Sequence, residues 1–137
     1  MAKDLNVFDK EYGLLINGAW TSPGTLLDSY NPANGEALAK FTDATDADVD
    51  AAVAAAQEAF KTWRKTTATE RAAILNKIAD VIDENLELFA LQETLDNGKP
   101  IRETRAADIP LASDHFRYFA SVIRGEEGTA TQLDSED

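Results

Sequence analysis

The hydrophobic period of the chain changes once, after Phe41, and this change constrains the fold more than any other feature. Before Phe41, apolar and polar residues alternate in short segments bounded by turn residues, which predicts strands. After it, apolar residues recur every three or four positions, which predicts amphipathic helices. The sequence therefore predicts a short antiparallel strand set followed by about four helices.

The candidate strands are residues 14–20, 26–30 and 36–41, and clusters of Pro, Gly, Asn and Ser separate them. Asn34-Gly35 is the sharpest hairpin signal among these turns. Residues 1–13 are polar and carry no period, so we predict a flexible leader there.

Capping signals set the beginnings of the first two helices. Thr45 and Thr67 are each followed three residues later by an acid, Asp48 and Glu70, which is the pattern of a capping box. The first helix then carries one continuous apolar stripe that we expect to face a core. The residues of this α1 stripe are Val49, Val53, Ala56, Phe60 and Trp63.

The later boundaries depend on Gly and Pro. Gly98 suits the left-handed position that ends a helix, and Pro100 suits the first turn of the next. That fourth helix is expected over about residues 100 to 124, with a kink or break at Pro110, which cannot donate to Ala106. Residues 126–137 have acidic residues, no basic one and no apolar period, which predicts a disordered acidic tail.

Charge limits the range of partners. Asp and Glu number 25 against 13 Lys and Arg, so the net charge is −12 and the field repels phosphate backbones and anionic lipid. Neither nucleic acid nor membrane is therefore an expected partner. A further hypothesis, that the protein mimics nucleic acid through its acidic surface, is supported by the net charge alone. No apolar run of membrane-spanning length and no export signal is present, which predicts a cytoplasmic location.

The chemistry available to the side chains is narrow. Cysteine is absent, which removes disulfides, thiolate metal sites and any thiol nucleophile, and His115 is the single histidine. No phosphate-binding glycine loop and no hydrolase or zinc-protease motif occurs in the sequence.

Two places could nevertheless form a site. Asp108, Leu111, Ala112 and His115 share one side of the fourth helix, either as the wall of a substrate passage or as a half-exposed edge with a solvated imidazole. Asp96 lies at a helix C-terminus, where the dipole disfavours a negative charge. Either a bound cation or hydrogen bonds from the backbone amides of the following turn would relieve this misfit.

Seven segments, in their order and spacing, resemble the opening of the NAD(P)-dependent aldehyde dehydrogenase superfamily over about residues 12 to 128. They are LINGAW at 15–20, NPANGE at 31–36, AFKTW at 59–63, ERAAIL at 70–75, IAD at 78–80, ETLDNGKP at 93–100 and FRYFA at 116–120. The run from Asp96 to Ala120 is most similar to the bacterial cytoplasmic branch that acts on short aliphatic aldehydes.

The resemblance implies an α/β fold, with residues 14–125 as the N-terminal portion of a nucleotide-binding domain. In the family the helices pack against a sheet that comes later in the sequence, so we expect some of Val49, Val53, Phe60, Ile78 and Leu91 to be exposed here. The resemblance also implies aldehyde oxidation through a cysteine thiolate, a general-base glutamate and bound NAD or NADP. In the family these groups come after the region matched here, and the chain has no cysteine. We therefore expect the 137 residues alone to be inactive and to bind neither cofactor.

The resemblance also assigns roles to the two candidate sites. Asp108, Leu111, Ala112 and His115 match the helix that lines the aldehyde entrance tunnel. Asp96, together with backbone carbonyls near Ser29 and Tyr30, matches a structural site for a monovalent or divalent cation.

The favoured hypothesis is a truncated N-terminal part of an aldehyde dehydrogenase, whose partners are the rest of that chain or the copies of a homo-oligomer. Two alternatives stay open. One is a non-enzymatic helical module for protein interaction, and the other is one half of a split aldehyde dehydrogenase.

Overall fold

The computed structural model describes residue 8, residues 11–125 and residues 127–130. It contains five short strands followed by helices, as the change of period predicts. The strands are β1 Glu11–Tyr12, β2 Leu15–Ile16, β3 Ala19–Trp20, β4 Leu26–Tyr30 and β5 Ala37–Thr42. Most of the predicted acidic tail, 126–137, lies outside the described residues. None of the described helices has the length and apolarity needed to cross a membrane.

The strands form a three-stranded sheet in the order β1-β5-β4 and a separate β2-β3 hairpin. The β4–β5 and β2–β3 pairs are antiparallel as expected, but β1 pairs with β5 in parallel, so the larger sheet is mixed. Glu11 lies opposite Lys40 and Tyr12 opposite Phe41. Residues 11 and 12, which the sequence placed in the flexible leader 1–13, therefore form a strand. β1 has only two residues, too few to show a hydrophobic period, and its partner β5 is distant in sequence. For these reasons the local sequence did not predict this strand.

Positive backbone φ angles mark the turns. The predicted strand 14–20 divides into β2 and β3 at Asn17 and Gly18, whose φ angles of 53° and 75° fit a tight two-residue hairpin. The turn between β4 and β5 contains Asn34-Gly35 as predicted, and it closes with a 2.8 Å hydrogen bond from the Asn31 amide to the Glu36 carbonyl.

The helices are α1 Asp46–Trp63, α2 Ala68–Glu84, α3 Leu86–Asn97, the short α4 Ile101–Glu103 and α5 Ile109–Val122. Both predicted capping boxes are present, at Thr45 with Asp48 and at Thr67 with Glu70. These caps hold the pKa of each of the two carboxyls below its usual value through hydrogen bonds from the cap threonine. Gly98 ends α3 in the left-handed conformation, with φ 82°, as predicted.

The expected fourth helix, 100–124, is divided. A π-helical turn, Thr104–Asp108, separates α4 from α5, and the Ile109 amide donates to the Thr104 carbonyl. Pro110 lies in the first turn of α5, where a missing N–H is tolerated. The break predicted from Pro110 therefore exists, but it lies in the turn before the proline.

The core of the described region consists of small side chains. Its centre is the packing of α2 against α5, supported by α3 and the π-helical turn. The buried residues in these elements are Ala72, Ala79, Ala90, Thr104, Ser113 and Ala120. Arg117 of α5 adds ion pairs to α2, at 3.0 Å from Asp80 and 2.8 Å from Asp83.

The expectation that the α1 stripe faces a core is wrong for the described residues. No α1 residue is buried, and Val49, Val53 and Phe60 are 53%, 52% and 57% exposed. Amphipathic spacing shows that a helix has an apolar face, but it does not show that the same stretch of chain supplies the surface that covers it.

Thr104 gives a test of the small-residue core. Its hydroxyl is fully buried and lies 3.0 Å from the Ala90 carbonyl and 2.9 Å from the Thr94 hydroxyl. Thr104→Val keeps the shape but leaves these groups without their partner, so we expect a loss of about 1–3 kcal/mol in the free energy of unfolding. Urea unfolding measures this loss. Thr62→Val is the matched control, because Thr62 bonds a carbonyl in an exposed turn of α1; an equal loss there would contradict the prediction.

Asp83 gives a test in pH. Hydrogen bonds from Ser113 and Arg117 hold its pKa below the ordinary value of 3.8. The folded state therefore favours the carboxylate, and this stabilisation is present at neutral pH and lost as the pH falls below the ordinary value toward the folded one. Asp83→Asn should be less stable than the unsubstituted chain at pH 7, and the difference in unfolding midpoint should vanish by about pH 2. Asp43→Asn, at an exposed residue just after β5, is the matched control, and a loss at pH 7 as large as that of Asp83→Asn would contradict the prediction.

Candidate functional site

The helical face predicted to line a passage begins at the π-helical turn. Asp108 is the last residue of that turn, and the three residues that follow it on this face lie in α5. Leu111 is 53% exposed, Ala112 is half-buried and His115 is exposed. Because the chain is α-helical from Ile109 onward, Leu111 and His115 stay one turn apart on the same side.

Asp108 is occupied by an ion pair with Lys99, a residue that the sequence analysis did not assign to this face. The Lys99 ammonium lies 2.7 Å from one carboxylate oxygen of Asp108 and 2.5 Å from the other. The hydrogen bond to Asp108 raises the pKa of Lys99 above its usual 10.5. The pair joins the segment after α3 to the start of α5, so the exposed part of the face consists of Leu111 and His115.

Asp96 and Ser29, the side chains of the candidate cation site, are in contact. The Ser29 hydroxyl donates to an Asp96 carboxylate oxygen at 2.8 Å, which joins β4 to the end of α3. The Gly98 amide donates to the Thr94 carbonyl, so that amide is not directed to Asp96. Tyr30 is exposed, and its hydroxyl lies 3.4 Å from Asp28 on the same strand, so the site can use Tyr30 only through its backbone.

The donor chemistry at Asp96 is that of a hard cation. A carboxylate, a hydroxyl and backbone carbonyls are all oxygen ligands, which suit Na⁺, K⁺, Mg²⁺ or Ca²⁺ better than a transition metal. No group of three or more His, Cys, Asp or Glu able to hold a metal occurs among the described residues. Asp96 also borders a cleft of about 420 Å³ that it shares with Tyr12, Ser29 and Phe41.

The contact between Gly98 and Pro32 holds the two halves of this site together. A Cβ atom at Gly98 would lie 2.7 Å from Cγ of Pro32, which follows β4. The turn after α3 and the turn after β4 therefore touch at a position where only glycine fits. Neither the contact nor the Ser29–Asp96 hydrogen bond can be read from local sequence, although Gly98 itself was predicted as a helix end.

Comparison with known proteins gives the family. The model of the aldehyde dehydrogenase family matches residues 20–137. Acetaldehyde dehydrogenase 2 of Cupriavidus necator is 47% identical over 133 residues, which are 96% of this chain and 26% of the relative. Aldehyde dehydrogenase B of Escherichia coli is 49% identical over 127 residues, which are 91% of this chain and 25% of the relative.

Solved structures of aldehyde dehydrogenases support the same family assignment. The NAD⁺ complex of an aldehyde dehydrogenase from Bacillus cereus superposes with a TM-score of 0.88 at 35% identity, over 98% of this chain and 28% of that one. The chain thus belongs to the aldehyde dehydrogenase family, and it corresponds to the N-terminal segment of the bacterial enzymes. It spans about a quarter of the length of the relatives it matches.

Gly98→Ala tests the contact that positions Asp96 and Ser29. The variant forces a side chain into the left-handed conformation and against Pro32, so we expect a loss of about 1–3 kcal/mol in the free energy of unfolding. Gly35→Ala, where φ is 75° and an added Cβ meets open space, is the control and should lose only the part due to the left-handed conformation. Urea titration of both variants makes the comparison, and a Gly98→Ala chain as stable as the control would refute the positioning role.

Proposed function

We propose that this chain forms the N-terminal section of an NAD(P)-dependent aldehyde dehydrogenase that oxidises an aldehyde to a carboxylic acid. The observation that carries the proposal is the superposition of nearly the whole chain on the first part of a protein solved with NAD⁺. In the overall reaction, aldehyde, water and NAD(P)⁺ give acid, NAD(P)H and a proton. The name of the Cupriavidus necator relative supports a short aliphatic aldehyde as substrate.

The role of these residues in that enzyme is structural and positional. The cofactor supplies hydride acceptance, and no cysteine is available in the sequence to act as the thiol nucleophile. Leu111 and His115 would form an exposed wall of the aldehyde passage, with Ala112 between them and Asp108 fixed behind them by Lys99. This arrangement supports a face that guides a substrate and takes no part in the bond changes.

The contact of Asp96 with Ser29 supports a structural cation site. The Asp96 carboxylate would supply the charge, and the carbonyls of Ser29 and Tyr30 would supply neutral oxygens. A cation there would stabilise the end of α3, where the helix dipole is unfavourable to Asp96. The partners of the complete enzyme would be the other three quarters of the chain and further copies in a homo-oligomer, in the cytoplasm.

A second candidate is a helical module for protein interaction without enzymatic activity. The many exposed large apolar side chains favour it, among them Trp20, Phe60 and Phe119 at 67%, 57% and 57% exposure. The two functions differ in whether the chain can serve within a working enzyme.

A chimera tests the enzyme proposal. Residues 1–137 replace the segment that they match in the Cupriavidus necator relative, and aldehyde-dependent reduction of NAD⁺ is followed by absorbance. We expect a kcat/KM within about tenfold of the parent enzyme, which corresponds to about 1.4 kcal/mol in activation free energy. The 137-residue chain alone should give no NADH.

The controls separate folding from function. The parent enzyme without the segment should be inactive, and circular dichroism with mass measurement should show that the chimera is folded and has the parent's assembly state. A folded chimera without activity would refute the proposal. Aldehyde-dependent NADH formation by the isolated chain would overturn the expectation that it is inactive alone.

A further inference from the structure

The chain contains three Asn-Gly dipeptides, at residues 17–18, 34–35 and 97–98. An asparagine before glycine can lose its side-chain amide without a catalyst, because glycine has no side chain to hinder attack by its backbone nitrogen on the asparagine side chain. The attack needs a glycine amide and an asparagine side chain that are both free to move. The three dipeptides differ in both respects.

The dipeptide Asn34-Gly35 is held at both groups. The Gly35 amide donates to the Asn31 carbonyl at 2.7 Å. The Asn34 side chain donates from Nδ2 to a Glu36 carboxylate oxygen at 2.8 Å, and its Oδ1 accepts from the Glu36 amide at 3.0 Å. Attack at this position therefore requires the loss of these hydrogen bonds.

The dipeptide Asn97-Gly98 is held by its backbone. Asn97 is the last residue of α3, and the Gly98 amide donates to the Thr94 carbonyl at 2.9 Å. The close approach of Gly98 to Pro32 leaves this turn little space to rearrange. Attack here requires the last turn of α3 to open.

The dipeptide Asn17-Gly18 is held at neither group. Both residues are exposed in the turn between β2 and β3, with φ angles of 53° and 75°. Among the residues that the structure describes, no hydrogen bond holds the Gly18 amide or the Asn17 side chain. A Cβ atom at Gly18 would meet nothing within 4 Å, so the turn has space to change conformation. The strands on either side have only two residues each, which makes local opening easy.

We propose that Asn17 is a site of spontaneous deamidation, and that the free hairpin turn selects it over Asn34 and Asn97. The Gly18 backbone nitrogen forms a bond to Cγ of Asn17, the Cγ–Nδ2 bond breaks, and ammonia leaves with the proton of the Gly18 amide. Water then adds to either carbonyl of the cyclic imide and opens it to aspartate or isoaspartate. Water is the only co-reactant, and no atom changes its oxidation state.

The two products differ in what they do to the hairpin. Aspartate keeps the length of the main chain and tolerates the left-handed conformation that Asn17 adopts. Isoaspartate carries the main chain through the former side chain and adds a methylene to the turn. A two-residue turn fixes the register that places Leu15 opposite Trp20 and Ile16 opposite Ala19, so the longer turn breaks this pairing. Both products add a negative charge.

Incubation at mildly alkaline pH, followed by peptide mass spectrometry, tests the proposal on the 137-residue chain after circular dichroism has shown that it is folded. The chimera gives the same readout if the isolated chain does not fold. Asn17 should convert at least about tenfold faster than Asn34 or Asn97, because groups held by hydrogen bonds react only after local opening. No conversion of Asn17, or conversion of Asn34 or Asn97 at the same rate, would overturn the proposal.

The same incubation in concentrated urea separates the effect of the fold from that of the sequence. Once the chain is unfolded, the three Asn-Gly dipeptides should convert at similar rates. A preference for Asn17 that persists unchanged in urea would mean that its sequence neighbours select it, and would refute selection by the turn.

Two variants test the parts of the argument. Glu36→Ala removes the carboxylate that Asn34 contacts, so it should speed conversion of Asn34 and leave Asn17 unchanged; an unchanged rate at Asn34 would contradict protection by that hydrogen bond. Asn17→Asp supplies the aspartate product with the main chain at its normal length. Amides of residues 15–20 should exchange with deuterium as in the unsubstituted chain in this variant, and faster in the isoaspartate form. Equal exchange in the two forms would refute the loss of pairing.

This inference does not depend on the proposed function, and none of its measurements reads enzyme activity. The two can therefore fail separately.

Discussion

The close packing of α2 against α5 through small side chains is the contact on which the helical part of this chain depends. Alanine and serine at the contact allow two helix backbones to approach closely, but they bury little apolar area per residue. The larger apolar residues of the same helices, such as Ile74, Val81 and Phe119, are therefore left on the outer faces. A chain packed in this way has a small core of its own and leaves many of its large apolar side chains exposed.

The two candidate sites depend on contacts that connect distant parts of the chain to this packed unit. Ser29 with Asp96, and Pro32 with Gly98, hold the β4–β5 hairpin against the end of α3. Lys99 with Asp108 then joins the next segment to the start of α5. The strands, the candidate cation site and the candidate passage face are thus connected in series around one short stretch, residues 96–99.

Local signals in the sequence predicted local features well. Thr45, Thr67 and Gly98 define helix ends through their own backbone and side-chain preferences, so their positions were predictable. The parallel pairing of β1 with β5 and the ion pair of Asp108 with Lys99 were not predicted, because each depends on how separate elements pack and not on a local pattern. Local pattern singled out Asp96 and the face of Asp108, Leu111, Ala112 and His115, and the family resemblance added Ser29 and Tyr30 and assigned the roles. Local pattern alone left both the passage and the cation site open between two interpretations.

The π-helical turn at Thr104–Asp108 also changes the helical phase. A turn of this kind holds one residue more than the α-helix would, and each α-helical residue advances the side-chain direction by about 100°. The faces of α4 and α5 are therefore out of phase, and a helical wheel drawn straight through from Ile101 to Val122 would place one end on the wrong side. Insertion or loss of a single residue in this turn would rotate the whole of α5 about its axis. The rotation would move the Leu111 and His115 face and would also turn Ser113, Ala120 and Arg117 away from α2.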